Sequence, residues 1–395
     1  MSVDTLLKGV RIIELADGVA GPMASCRLGD LAADVIKIEE GEGDWMRRSP
    51  PFLKDGRTSA VFYALNRGKR SLRLVGEPQD ARILQTLLAR SDILITDRSD
   101  TDLARLGLDE ALSDKGNPKL IVARISAYGA SGPLAGKAGS ELCAQAMAGY
   151  TRYLGSAMQP SVRLGADVAG VSTAIFTTQA VLAALIERGR SGRGQRIDLS
   201  LLNSLLAMKT VHLAAQSDPD SFEGPRVGGA YDPPESGWAT ADAPVTFAFG
   251  GAVGANGRPG WTSFVKAVGL QYLLDDPRFD KNGRSTTGLG PKARELKGEY
   301  EKSFRRMPAS EVVAQVRRFG GFASAYLTHR QLMAEPQARV AEVVVDAGGP
   351  ADVLDFPAHF SDSRPSPRGT LSALGQHNDE IVKQLGLETI EARAG

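Results

Sequence analysis

Cysteine is nearly missing from this sequence. Cys26 and Cys143 are the only two in 395 residues, too few for a disulfide scaffold or a four-cysteine metal site, and their spacing fits no metal motif. Histidine is almost as sparse. His212, His329, His359 and His377 lie far apart with no ligand spacing, so no resident metal is expected and each reads as a packing or surface residue. Aromatic residues make up 6% of the chain, which sets aside a protein built to stack on bases or sugars. An excess of either charge is also missing: 47 Lys and Arg balance 46 Asp and Glu. That balance argues against a nucleic-acid binder and against a polybasic membrane-surface protein. No run approaches the roughly 18 apolar residues that span a bilayer, and Met1-Ser2-Val3-Asp4 does not open a signal peptide. A soluble, cytoplasmic protein with no nucleic-acid or membrane partner is the expectation. Two catalytic signatures are absent as well, the G-x-S-x-G nucleophile elbow and the Walker P-loop.

What is present is an alternation of apolar strands and amphipathic helices. Residues 10–15 read as a buried strand, residues 23–31 as a short helix with Pro22 in its first turn, and residues 34–39 as a second strand. Strand, helix and strand within about 30 residues is a βαβ unit, which implies parallel pairing. The pattern repeats with strands at 69–74, 93–96 and 120–125 and a helix at 79–90. A long apolar helix at about 171–188, a strand at 196–200 and a helix from 201 to about 216 follow, giving an α/β class. Residues 217–260 then turn rich in Pro, Gly and Asp around a strand-like 245–249. Helices resume at 261–268, 291–305 and 309–319, as in a smaller second domain. The tail from residue 357 is irregular until an amphipathic stretch at 378–387.

Three segments suit a ligand. Gly18-Val19-Ala20-Gly21-Pro22 joins a parallel strand to a helix N-terminus, where backbone N–H groups and the helix dipole meet phosphate; it equally suits plain turn chemistry. Asn66-Arg67-Gly68-Lys69-Arg70 is a basic stretch entering a strand, either a phosphate clamp or a solvated charge run. The glycine-rich residues 249–257 follow a strand but are not G-x-G-x-x-G, so a nicotinamide cofactor is not expected.

The motifs together resemble one family. Lys8-Gly9-Val10-Arg11-Ile12-Ile13-Glu14-Leu15, Val19-Ala20-Gly21-Pro22 and Leu28-Gly29-Asp30-Leu31 leading to Lys37-Ile38-Glu39 are similar to the opening of the class III CoA-transferases. That family includes the formyl-CoA, carnitine-CoA and benzylsuccinate CoA-transferases and the α-methylacyl-CoA racemases. The resemblance continues through Asn66-Arg67-Gly68-Lys69-Arg70-Ser71, Ser126-Ala127-Tyr128-Gly129, Ser191-Gly192-Arg193-Gly194-Gln195 and Gly375-Gln376-His377-Asn378-Asp379-Glu380, and is weakest at 217–260. It implies a Rossmann-like large domain made from both chain ends (residues 1–216 and 336–395), a smaller α+β domain (217–335) and an interlocked dimer. It also implies coenzyme A or acyl-CoA as substrate, with a carboxylic acid as acceptor. By position, Val19 and Ala20 would approach CoA, and Lys69, Arg70 and Arg105 would meet its phosphates. Glu40 stands where relatives often carry a basic residue.

In the transferases a carboxylate attacks the acyl-CoA thioester and passes through a mixed anhydride and an enzyme-bound thioester, which no neutral side chain can do. Counting forward from Gly165 and back from Gly192 both put the family's Asp at Gly170. The nucleophile is thus missing. Asp167 lies one turn upstream, roughly 4.5 Å along a helix axis, and reads as a helix cap; Glu141 matches an assisting acidic position. Three readings remain open. The first is a catalytically silent subunit paired with an Asp-bearing paralogue, as in two-subunit members acting on (R)-benzylsuccinate with succinyl-CoA. The second is a self-sufficient homodimeric transferase or racemase using Asp167 or Glu141. The third is a non-catalytic CoA-binding protein.

Overall fold

The computed structural model describes residues 6–113, 116–151, 161–209, 237–249, 257–277, 293–340, 344–365 and 367–387. The chain divides into two compact units, Met1–Thr210 with Val340–Gly395, and Val211–Arg339. In the first, β1 (Arg11–Leu15), α1 (Ala20–Asp30), β2 (Asp34–Glu40), α2 (Ala60–Asn66), β3 (Arg70–Leu74), α3 (Pro78–Ala89), β4 (Ile93–Thr96), α4 (Asp100–Arg105) and β5 (Ile121–Ser126) follow in order. Then come α5 (Glu141–Met147), α6 (Val168–Ser191), β6 (Arg196–Ser200) and α7 (Leu201–Ala207). The six strands form one all-parallel sheet in the order β3-β2-β1-β4-β5-β6.

Both faces of this sheet are covered, so its central strands are apolar on both sides. Because side chains alternate along a strand, Ile13 and Leu15 of β1 join Ile36, Ile38, Leu72 and Leu74 against Ile83, Leu84, Leu87 and Leu88 of α3. Ile12 joins Val35, Ile93, Ile95 and Ile121 on the other face, against α1 and α6. The helix expected at about 171–188 runs 24 residues, from 168 to 191. It ends at Gly192, whose φ of 73° supplies the left-handed cap, and the Gly192 N–H donates to the Arg188 carbonyl at 2.9 Å. Contrary to the expectation that nothing reaches membrane-spanning length, this helix does so by length and composition. Its small inward residues, among them Ala169, Thr173, Ala174 and Ala184, are buried, so one face of the helix packs within the unit.

The returning chain closes the edge of the sheet. Beyond β9 (Val344–Val345) and β10 (Val353–Leu354), which pair antiparallel, residues 370–378 run beside β3. The Gly68 N–H donates to the Thr370 carbonyl at 2.7 Å, and Asn378 Oδ1 accepts the Arg73 N–H at 2.9 Å. His377 Nδ1 accepts the Ser71 N–H at 3.2 Å, so this histidine serves the edge. An unpaired edge strand is thereby covered. The final helix (Asn378–Leu385) buries Ile381, Val382 and Leu385 in the α3 face of the core.

The second unit holds β7 (Val245–Ala248), α8 (Gly257–Ala267), α9 (Ala293–Phe304), α10 (Ala309–Arg318), β8 (Phe322–Ala325) and the short helix His329–Ala334, and the helix Pro336–Val340 ends at its boundary. The two strands pair antiparallel. The scarce aromatics gather here: Trp238, Phe247, Phe249, Trp261, Phe264, Tyr300 and Phe304 share one core. The Trp261 Nε1–H donates to the Tyr300 hydroxyl at 2.8 Å. Residues 250–256, the heart of the glycine-rich loop, and His212 lie outside the described residues.

One charged cluster sits inside the first unit. Glu14 on β1 is the register partner of Lys37 on β2, and both are fully buried. Lys37 Nζ donates to Glu14 Oε1 at 2.7 Å and to the Ala16 carbonyl at 2.8 Å, and lies 3.0 Å from Asp44 Oδ2. Lys69 Nζ donates to Glu14 Oε2, the Pro22 carbonyl and Asn66 Oδ1 at 2.5–2.9 Å. The Ser25 hydroxyl donates to Glu14 as well. Burial pushes the Glu14 carboxyl up, but the two lysines outweigh it and hold it down at about 2. Its contribution to stability is therefore present above the ordinary carboxylate range and is lost only as pH falls toward 2. Replacing Glu14 by Gln leaves two ammoniums facing each other in the core. Urea unfolding should show a loss of about 3–5 kcal/mol.

Candidate active site at the carboxyl edge of the sheet

In a doubly wound sheet, ligands bind beyond the carboxyl ends of the strands where the strand order reverses. Here that is the crevice between β1 and β4. The segment after β1 carries Asp17, Gly18 and Val19; β2 ends in Glu40; β4 is followed by Asp97 and Arg98. Arg98 donates to Asp17 Oδ2 at 2.8 Å and Asp97 Oδ1 at 2.6 Å, and its Nε lies 3.6 Å from Glu40 Oε1. Arg105, at the end of α4, donates to Glu40 Oε2 at 2.8 Å. Burial pushes the Asp97 carboxyl up to about 6, against the pull of Arg98.

α1 enters this edge bare. Val19 is its N-cap residue with no side-chain cap, its first turn has no acidic residue, and Ala20 is buried beneath it. Val19 turns toward α6. A Cβ built on Gly170 would fall 2.9 Å from both Cβ and Cγ1 of Val19 and 3.6 Å from Glu141 Oε2. The space at residue 170 is therefore filled by Val19 on one side and bordered by a carboxylate on the other.

Glu141 does the capping. Its Oε1 accepts the Ala169 N–H at 2.8 Å and its Oε2 accepts the Gly170 N–H at 2.8 Å, so it satisfies two free donors of the first turn of α6. Gln145 holds it there, donating from Nε2 to Oε1 at 2.8 Å. Asp167 was expected to cap this helix. It occupies the N-cap position but makes no capping bond; its Oδ1 pairs with Arg163 at 2.6 Å on the surface. The reach of Glu141 from α5 explains the difference, since its two oxygens meet N–H groups that a short side chain at 167 leaves unpaired.

The residues expected at CoA separate into three places. Val19, Ala20 and Arg105 lie at the carboxyl edge. Lys69 is buried, with its ammonium wholly engaged by Glu14, Pro22 and Asn66, and offers no N–H to a phosphate. Arg70 begins β3 at the opposite, amino end of the sheet, where it clamps Asp34 at 2.6 and 3.1 Å and reaches Glu380 at 3.1 Å. A basic run in sequence is thus divided between the interior and the far edge. Asp17, Asp97 and Arg98 escaped the sequence reading; their signal is position alone, just past apolar strands. Among the described residues no group of His, Cys, Asp and Glu is placed to hold a metal.

From residue 7 to residue 378 the chain matches the profile of CoA-transferase family III. The chain belongs to that family. It is 31% identical to the succinate–glutarate CoA-transferase of Agrobacterium fabrum, across 98% of this chain and 97% of that protein. It is 28% identical to the formyl-CoA:oxalate CoA-transferase of Streptomyces coelicolor, across 98% and 97%. A crystal structure of a CaiB/BaiF family protein from Brucella suis superposes with a TM-score of 0.85 at 27% identity, covering 97% of this chain and all of that one. Relatives of this CoA-transferase family III chain are thus named for moving CoA between acids.

Two measurements check this geometry. Gly170→Ala should lose about 1–2 kcal/mol, because overpacking against Val19 outweighs the roughly 1 kcal/mol gained in helix propensity. In a Val19→Gly background the same change should be neutral or favourable, giving a coupling of about 1 kcal/mol or more in a double-mutant cycle. Asp97 supplies the second. A carboxyl with a raised folded pKa costs stability as it ionises, so the wild type should lose stability relative to Asp97→Asn as pH rises from about 4 to 7. A melting-temperature difference that stays constant with pH would contradict a raised Asp97 carboxyl.

Proposed function

We propose that this chain is the catalytically silent subunit of a class III CoA-transferase, transferring CoA from an acyl-CoA, succinyl-CoA foremost, to a carboxylic acid. The nucleophile would come from a paralogous, Asp-bearing subunit in an interlocked dimer. Gly170 carries this reading: the position that must supply a carboxylate has no side chain, and Val19 occupies the room one would need. Asp167 is tied to Arg163 on the surface, one turn away. Succinyl-CoA as donor follows the names of relatives, the succinate–glutarate enzyme of Agrobacterium fabrum among them. The large domain would be assembled from residues 1–216 and 336–395, with 217–335 shaping the acid pocket. Free thiols at Cys26 and Cys143 accord with a reducing cytoplasm.

A second reading rests on Glu141. Its Oε2 lies 3.6 Å from where a Cβ on residue 170 would stand, which puts a carboxylate within reach of the position the nucleophile would occupy. Three hydrogen bonds hold it as a helix cap, two on Oε1 and one on Oε2, and together they draw charge from the carboxylate that would attack. A homodimeric transferase or racemase using Glu141 is the form this reading takes.

Trapping separates the two. Purified chain, alone and with an Asp-bearing paralogue, is incubated with succinyl-CoA and then hydroxylamine, and peptides are weighed by mass spectrometry. The silent-subunit reading expects no adduct on this chain and one on the paralogue. An adduct on Glu141, abolished by Glu141→Gln, would establish the second reading instead.

A further inference from the structure

The crevice beyond β1, β2 and β4 is where a polyanion such as CoA would meet this fold, yet both of its guanidiniums are paired with carboxylates of the protein. Three carboxylates, Asp17, Glu40 and Asp97, face two guanidiniums, Arg98 and Arg105. The cluster therefore carries a net negative charge. Arg98 bridges Asp17 and Asp97, and the exposed Arg105 is paired with Glu40 through one bond. Two backbone donors just before α1 also face carboxylates. The Asp17 N–H donates to Asp97 Oδ2 at 3.0 Å, and the Gly18 N–H faces Asp44 Oδ1 at 3.5 Å. A segment of this kind binds phosphate through its N–H groups; here carboxylates already meet those of Asp17 and Gly18.

We propose that Glu40, with Asp17 and Asp97 behind it, stands in for a phosphate in this crevice and closes it to the polyanionic end of CoA, so that CoA in the assembled enzyme is held by the partner subunit. This deepens the silent-subunit reading and rests on it for where CoA goes. A diphosphate entering here has to displace Glu40 from Arg105 and remain beside carboxylates that repel it. Removing the Glu40 charge frees Arg105 and relieves the nearest repulsion in one step.

The test is titration of the purified chain with CoA, and with inorganic pyrophosphate as a probe of the phosphate contact alone. The wild type should show no saturable CoA binding up to about 1 mM, the weak end of specific affinity. Glu40→Gln should bind both ligands at least about tenfold tighter. Circular dichroism and melting establish that the variant folds, and Asp17→Asn serves in its place if it does not. Micromolar CoA binding by the wild type overturns the proposal, and so does a folded variant that binds no more tightly than the wild type. Wild type that binds CoA yet gives no hydroxylamine adduct overturns this inference alone. An adduct on this chain overturns the silent-subunit reading.

Discussion

The carboxylate of Glu14, held between Lys37 and Lys69 under α1, is the interaction on which the rest of the carboxyl edge depends. A charge at the centre of a parallel sheet is tolerated only when every oxygen and every ammonium hydrogen is engaged. Here Lys37 ties Glu14 to the Ala16 carbonyl and Asp44, while Lys69 ties it to the Pro22 carbonyl and Asn66. Ala16 and Pro22 are the two ends of the segment that carries Asp17, Gly18 and Val19. The network therefore fixes both ends of the segment whose middle faces the crevice and α6. Arg47 extends the brace, gripping Glu39 with two bonds of 2.7 Å while lying 4.2 Å over the Phe62 ring.

Much of the fold was legible because a parallel sheet buried on both faces leaves continuous apolar runs. In the parallel sheet the sequence places the strands at 93–96 and 196–200 to the residue and the other four to within one residue at either end, while the short β8, β9 and β10 carry no such signal. The start of α6 was not legible. Asp167, Val168 and Ala169 look like a loop entering a helix, and the capping carboxylate comes from Glu141, 28 residues earlier than its first partner. Nothing local announces a cap supplied from another helix.

The candidate site was legible in identity but not in placement. Lys69 and Arg70 are adjacent and both basic, yet the pleat sends one under α1 and the other to the amino end of β3. Glu14 and Lys37 carried a readable signal, single charges inside apolar strands, and such charges need partners. Their partnership follows from register, which only the paired strands reveal.

The missing side chain at residue 170 is better understood as part of a packing arrangement than as a lone loss. α1 and α6 approach through small residues, and Val19 lies where a side chain from residue 170 would go. Glu141 completes the arrangement. A side chain on residue 170 would place its Cβ 3.6 Å from Glu141 Oε2, at ordinary contact with a carboxylate oxygen. With glycine there, Glu141 keeps both oxygens on the N–H groups of Ala169 and Gly170 without a competitor, and the helix dipole favours its charge. Any side chain added at residue 170 therefore meets two neighbours at once, the apolar contact with Val19 and the capping carboxylate of Glu141.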